Sequence, residues 1–432
     1  MKRRITINLS EWKNSSRRQP LLVYGARQVG KTYVINEFGR NNYENVIYVN
    51  FEANLTVAAD FSRDISPEHI INCLEIFYKQ KIVPGKTLIF FDEIQLCERA
   101  LTSLKYFCEN APEYHIIAAG SLLGVAFNRD KSSFPVGKVD LCHLYPLDFE
   151  EFLWAVGREM LAGEIRGCYA NNSPLSSMLH EAALNLYKEY LIVGGMPAVV
   201  NEYCNSHRLL DAANVQALII NTYTADMVKY ATPAETTKIM AAFQSISAQL
   251  AKNNRKFQYK VIQRGGSASI FGSSIDWLCA AGLVVKCNKV ERGYMPLAAY
   301  QDFSSFKLYM GDVGLLTLKS GMSAHNILTA IEDNNTFIGA IVENYVAVQL
   351  RVNRSELYYW DSAHTAEIDF IIQDGDEIIP IEVKSSAHTR SRSLSVYKAK
   401  YSPPYAIRIS AKNFGFENQI KSVPLYAVFC IT

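Results

Sequence analysis

Short runs of consecutive apolar residues alternate along the first 150 positions with segments whose apolar residues recur every three to four places. Continuous apolar runs predict strands buried on both faces, and the three-to-four spacing predicts amphipathic helices. Strands are predicted at Pro20–Tyr24, Val46–Phe51, Thr87–Phe91, His115–Ala119 and near Val139–Leu144. Helices are predicted between and after them, at Lys31–Phe38, Glu68–Gln80, Ala100–Asn110 and Asp148–Val156. Strand–helix alternation of this kind predicts a mostly parallel α/β sheet.

The texture then changes. Helical spacing covers Leu184–Val193 and Leu209–Lys229, the first stopped by Gly194-Gly195-Met196-Pro197. Helices at Thr236–Leu250 and Ser273–Ala281 flank a basic segment, followed by a strand at Leu283–Val290 and a hairpin return at Tyr294–Pro296. That order is compatible with a winged helix-turn-helix. A helix at Phe337–Leu350 and strands at Leu357–Trp360, Ala366–Ile372 and Ile378–Val383 close the pattern, with Asp374-Gly375 as a hairpin turn.

Composition narrows the class. At 432 residues the chain has room for about three domains. With 49% apolar and 20% charged residues, each can bury a core, and disordered or fibrous classes are excluded. Nine scattered cysteines without a CxxC pair argue against a disulfide framework and predict a reducing, cytoplasmic setting. MKRRITINLSEWKN lacks the apolar stretch of a signal peptide, and no apolar run reaches about 18–20 residues, so no membrane association is expected.

Gly25-Ala26-Arg27-Gln28-Val29-Gly30-Lys31-Thr32 fits GxxxxGK[ST], between a strand and a helix. Such a loop aims backbone N–H groups at phosphate oxygens. Lys31 neutralises the β and γ phosphates, and the Thr32 hydroxyl ligates Mg²⁺. The strand TLIFF delivers Asp92-Glu93 to its C-terminal edge, where open α/β sheets bind ligands. Asp92 is expected to hold Mg²⁺ and Glu93 to polarise the attacking water. Ser121, after HIIAAG, is expected to sense the γ phosphate, with a helix N-cap as the plain alternative. ATP and Mg²⁺ are the expected cofactors.

GARQVGKT, LIFFDEIQ, AAGSLLG, LYPLDFEEFL and YLIVGGMPAVV together resemble a bacterial and archaeal class of AAA+ ATPases over almost the whole chain. The resemblance implies ATP hydrolysis, a helical lid, a C-terminal domain of unassigned function, and a site completed by an arginine from a neighbouring subunit of a homo-oligomer, expected as a hexamer. The resemblance implies Gly-Arg before the LYPL strand, as in many members of the class; here the pair is Gly137-Lys138, and Arg129 is the nearest alternative. The expected organisation is an AAA+ P-loop core at 1–158, a lid at 159–230, a winged-helix-like basic domain at 231–320 and an α/β nuclease-like domain at 321–432.

That last expectation rests on a second constellation. Glu367 and Asp369 share one face of a strand, and Glu382 and Lys384 share a face of the next. Asp369 and Glu382 are suited to hold Mg²⁺, and Lys384 to orient a water, as in metal-assisted phosphodiester hydrolysis. The spacing D-x12-E-x-K resembles the PD-(D/E)XK nuclease superfamily, which implies Glu343 as a further metal ligand. The residues leave open whether the domain cleaves.

Local charge adds a polyanion. Overall the net charge is only +2, but 231–300 carries nine Lys/Arg against three acidic residues. Val383–Lys412 carries seven basic residues (Lys384, Arg390, Arg392, Lys398, Lys400, Arg408, Lys412) and no acidic one. Such blocks suit a DNA backbone, branched or junction DNA included, though a solvated face would look the same. The alternative is a regulatory AAA+ switch, in defence or toxin–antitoxin signalling, whose nuclease-like fold binds protein; a chaperone-like remodeller is a third reading.

Overall fold

The computed structural model describes residues 1–121, 135–252, 255–329, 336–354, 356–362, 366–385 and 392–432. Two compact units emerge, one of residues 2–145 with 280–282, the other of 146–279 and 283–432 with Met1. The second unit contains the segments that the sequence reading separates at 159, 231 and 321.

The first unit is built on β1 (Leu21–Tyr24), β2 (Asn45–Asn50), β3 (Thr87–Asp92), β4 (His115–Gly120) and β5 (Asp140–His143). All neighbours pair in parallel, in the order β2-β3-β4-β1-β5. Every residue of β3 and β4 is buried, as their unbroken apolar runs require. Successive side chains face opposite sides. Ile89 and Phe91 join a core with α3 (Leu55–Arg63), α4 (Pro67–Tyr78) and α5 (Glu98–Asn110). Leu88 points the other way, against Gly39 of α2 (Lys31–Asn42), where an added Cβ would sit 2.7 Å from Val46. The sequence pattern misses α1 (Ile5–Asn14), whose Leu9 and Trp12 are buried.

The second unit holds an eight-stranded mixed sheet in the order β12-β13-β11-β10-β9-β8-β6-β7. Its strands are β6 (Val284–Val290), β7 (Gln301–Met310), β8 (Leu357–Asp361), β9 (Glu367–Asp374), β10 (Glu377–Val383), β11 (Ala406–Ser410), β12 (Gly415–Glu417) and β13 (Ile420–Pro424). The expected hairpin return at Tyr294–Pro296 is corrected to Gln301–Met310. β6 also pairs in parallel with β8, so the hairpin is continuous with the C-terminal sheet.

Long-range hydrogen bonds cross-link distant segments of this unit. Phe149 N–H donates to Gln349 Oε1 at 3.0 Å, the Tyr345 hydroxyl to Leu425 O at 2.9 Å, and Leu175 N–H to Asn413 Oδ1 at 3.0 Å. The GGMP motif has a packing role. Gly194 takes φ 73° at the end of the helix Ser177–Val193. Gly195 N–H donates to Asp312 Oδ2 at 2.6 Å, and Leu147 N–H donates to Gly195 O at 2.7 Å. A Cβ on Gly195 would lie 2.0 Å from Leu147 O, so only glycine fits.

Candidate functional site

The loop between β1 and α2 has the backbone that its glycines predict. Gly25 has φ 151° and Gly30 φ 92°, and Gln28 also enters the left-handed region at φ 67°. A Cβ on Gly25 would fall 2.1 Å from Leu144 O, so this glycine admits a close backbone approach. Gly30 caps α2, whose first-turn N–H groups lack intrahelical partners and suit an anion.

Lys31 is buried and folds back on its own loop. Its Nζ donates to Gly25 O at 2.9 Å and Ala26 O at 2.8 Å. Burial pushes the ammonium down to about 8, against smaller opposing effects of Glu93 and Asp92. An ammonium held only by neutral carbonyls is poised to exchange them for phosphate oxygens.

The order of the sheet explains how Asp92 arrives. β4 lies between β1 and β3, so the C-terminal ends of the three strands carry the loop, Ser121 and Asp92 side by side. The Thr32 hydroxyl donates to Asp92 Oδ2 at 2.8 Å, and the Tyr48 hydroxyl donates to the same oxygen at 3.0 Å. Asp92 Oδ1 accepts from Glu93 N–H at 3.0 Å. A hydroxyl and a carboxylate oxygen in contact, with the phosphate loop adjoining, are the donor pair that a loop-bound Mg²⁺ takes. Glu93 sits at φ 51°, which turns it out of the strand, and its Oε2 accepts from Gln95 Nε2 at 2.5 Å. Ser121 is buried directly after β4.

Two residues here escape sequence reasoning. Buried Arg3 donates from Nη1 to Val29 O at 3.1 Å and from Nη2 to Tyr145 O at 2.7 Å, bracing the phosphate loop. Tyr48 orients Asp92 from the adjacent strand. Alternation along VIYVNF puts Tyr48 and Asn50 on one face and gives a weak signal for it; nothing near Arg3 does. Lys138, of the Gly137-Lys138 pair, lies 3.0 Å from Glu109. Arg129 lies outside the described residues.

The C-terminal carboxylates fall into two ion-paired groups. Glu382, buried, is 3.3 Å from Lys384 Nζ and 3.4 Å from Arg408 Nε. Asp369 Oδ2 accepts from Val383 N–H at 2.8 Å. Glu343, on the helix Thr336–Asn353, accepts from Lys307 Nζ at 3.0 Å and the Tyr309 hydroxyl at 2.6 Å, and pairs with Arg255. Among the described residues no group of three or more His, Cys, Asp or Glu is arranged to hold a metal. The carboxylates already have cationic or N–H partners, so a divalent ion does not fit them as they stand.

Several cations expected on the DNA face are likewise committed. Arg255 pairs with Glu343, Lys256 with Asp361 and Lys289 with Asp302. Lys238, Lys260, Arg264, Arg292, Arg392 and Lys412 stay exposed. Arg390 lies outside the described residues.

Residues 17–153 match the family model described as an AAA domain. Residues 184–326 and 338–428 match two models described as domains of unknown function. Among curated proteins, none matches this sequence. Among solved structures, the Walker-type ATPase PABY2304 of Pyrococcus abyssi is 14% identical, with a TM-score of 0.45 over 73% of this chain and 94% of that one. The Aeropyrum pernix ORC2 protein is 12% identical, with a TM-score of 0.35 over 76% and 92%. The Aeropyrum pernix ORC1 protein, solved with DNA, is 12% identical, with a TM-score of 0.29 over 74% and 91%. The parallel sheet with its phosphate loop is a P-loop AAA+ α/β fold. Residues 17–153 are therefore similar to AAA domains and carry the P-loop fold of that class. No helix of the described residues is long and apolar enough to cross a membrane.

Proposed function

We propose that this protein binds and hydrolyses ATP at the Gly25–Thr32 loop and uses the cycle to act on DNA. One observation carries the ATPase half: Lys31, Thr32, Asp92 and Glu93 converge at the ends of β1 and β3, with the Thr32 hydroxyl on Asp92. The loop N–H groups and Lys31 hold the phosphates. Thr32 and Asp92 hold Mg²⁺, which supplies charge neutralisation at the transferring phosphoryl group. Glu93 orients the water and accepts its proton, and Ser121 faces the γ phosphate. The site is completed from a neighbouring subunit of a homo-oligomer, expected as a hexamer.

The DNA half is supported by the exposed cations Lys238, Lys260, Arg264, Arg292, Arg392 and Lys412. A second reading, the regulatory switch whose C-terminal fold binds protein, is favoured by the internal use of Arg255, Lys256 and Arg408. ATP turnover without DNA and with duplex, single-stranded and branched DNA separates the two. Stimulation by one form, with an affinity that falls steeply with salt, supports the first. Equal turnover in all four reactions supports the second. Lys31→Ala is expected to abolish turnover in every reaction, and light scattering in ATP and Mg²⁺ is expected to report an oligomer.

A further inference from the structure

We infer that Lys307 is the resident cation of the Glu343 and Glu367 carboxylates, its ammonium standing where a divalent metal would have to bridge the two. This domain is then a metal-independent module that does not cut phosphodiesters. The inference concerns the second unit and is independent of the ATPase reading.

Lys307 lies in the apolar end of β7, where Phe306, Leu308, Tyr309 and Met310 are all buried. A lysine there is out of pattern and needs a paired charge, because an isolated ammonium is not stable away from water. It is 1% exposed. Its Nζ is 3.0 Å from Glu343 Oε1 and 2.5 Å from Glu367 Oε1, and it lies 5.0 Å from the centroid of the Tyr359 ring. One cation thus bridges two carboxylates from two elements, a helix and a strand, as a bridging metal would.

The remaining valences are also filled. Glu343 Oε1 accepts from the Tyr309 hydroxyl as well, and its Oε2 pairs with Arg255. Glu343 and Glu367 are therefore balanced by Lys307 and Arg255. Glu382 has Lys384 and Arg408, and Asp369 accepts a backbone N–H. A divalent ion entering here would meet an ammonium rather than a free pair of oxygens, at a separation where like charges repel strongly.

The test is manganese binding to the nucleotide-free full chain, read by the paramagnetic signal of free Mn²⁺ and by thermal melting. In a chain that keeps Lys307, Glu367→Gln is expected to leave Mn²⁺ binding unchanged. Lys307→Met keeps the length of the side chain and removes its charge. It is expected to bind Mn²⁺ at least tenfold more tightly than the unaltered protein, to gain melting temperature with Mn²⁺, and to lose both effects when Glu367→Gln is added. Should Lys307→Met not fold, the unaltered protein decides alone. Saturable Mn²⁺ binding removed by Glu343→Gln or Glu367→Gln overturns the inference, as does Mn²⁺-dependent DNA cleavage lost in Asp369→Ala. The absence of both upholds it.

Discussion

Lys31→Met separates what the phosphate loop does for binding from what it does for folding. In the free protein the ammonium is buried against two carbonyls, and burial lowers it from the ordinary 10.5 to about 8. At about 1.4 kcal/mol per pH unit, the charged form is disfavoured by roughly 3 kcal/mol at neutral pH. The sign follows from proton uptake. Between pH 8 and 10.5 the unfolded chain binds more protons at this site than the folded one. The penalty is thus fully present below 8 and relieved as pH rises through 10.5. Methionine keeps the buried carbons and removes the charge, at the cost of two hydrogen bonds taken at about 1.5 kcal/mol each, the low end for a charged donor to neutral carbonyls. The two effects nearly cancel. Lys31→Met without nucleotide is therefore expected to melt within a few degrees of the parent at pH 7, by calorimetry or fluorimetry. The stabilisation that ATP and Mg²⁺ confer on the parent should be absent. A fall of about 10 °C in the nucleotide-free melting temperature would refute the burial argument. A retained ATP shift would refute the assignment of Lys31 to the phosphates.

Further expectations follow from other contacts. Glu93→Gln should bind ATP with parental affinity and lower turnover at least a hundredfold, measured by equilibrium binding beside single-turnover hydrolysis. Arg3→Met should weaken nucleotide binding without touching any reacting group, because two loop-side hydrogen bonds go with it; an unchanged nucleotide affinity would count against the bracing role. Gly195→Ala puts a methyl 2.0 Å from Leu147 O and should destabilise the second unit by about 3 kcal/mol or more, read as a lower urea midpoint. His115, buried with its Nδ1 2.8 Å from the Tyr43 hydroxyl, is pushed down from 6.5 to about 4 by burial. Stability from keeping it neutral is present above 6.5 and lost as pH falls through 4. His115→Phe should flatten that part of the pH–stability curve.

The candidate nucleotide site was legible because each of its parts is local. A glycine-spaced loop after an apolar strand and two acids ending another strand are read from a few residues each, and the parallel sheet supplies the meeting. Residues that act from a distance were not legible. Arg3 reaches Val29 and Tyr145 from a helix whose sequence, ITINLSEWKN, has only a weak apolar stripe. Lys307 sits in a strand that begins with half-buried Gln301 and Asp302 and exposed Phe303 and Ser304 and turns continuously buried only from Phe306, so neither a period of two nor a continuous run announces it. Arg255 and Lys256 counted toward the basic excess of 231–300 because charge in sequence does not say what lies opposite in space. Glu343 and Asp361, about a hundred residues later, lie opposite. The strands after Val383 went unread for a similar reason. They are three to five residues long, β12 is largely exposed, and β13 is half-buried over its first three residues.

The hydrogen bonds from Phe149, Leu175 and Gly195 to Gln349, Asn413 and Asp312 span 200, 238 and 117 positions of the chain. On a ribosome adding about 5–20 residues per second, Leu175 waits roughly 10–50 s for its partner. Through that interval the helices after Pro146 present apolar faces with nothing to cover them, while the strands of the first unit up to His143 have already emerged. Synthesis therefore exposes a long-lived, half-made second unit to chaperones and proteases. A premature stop close to the C-terminus would forfeit not only the last strands but the helices made much earlier.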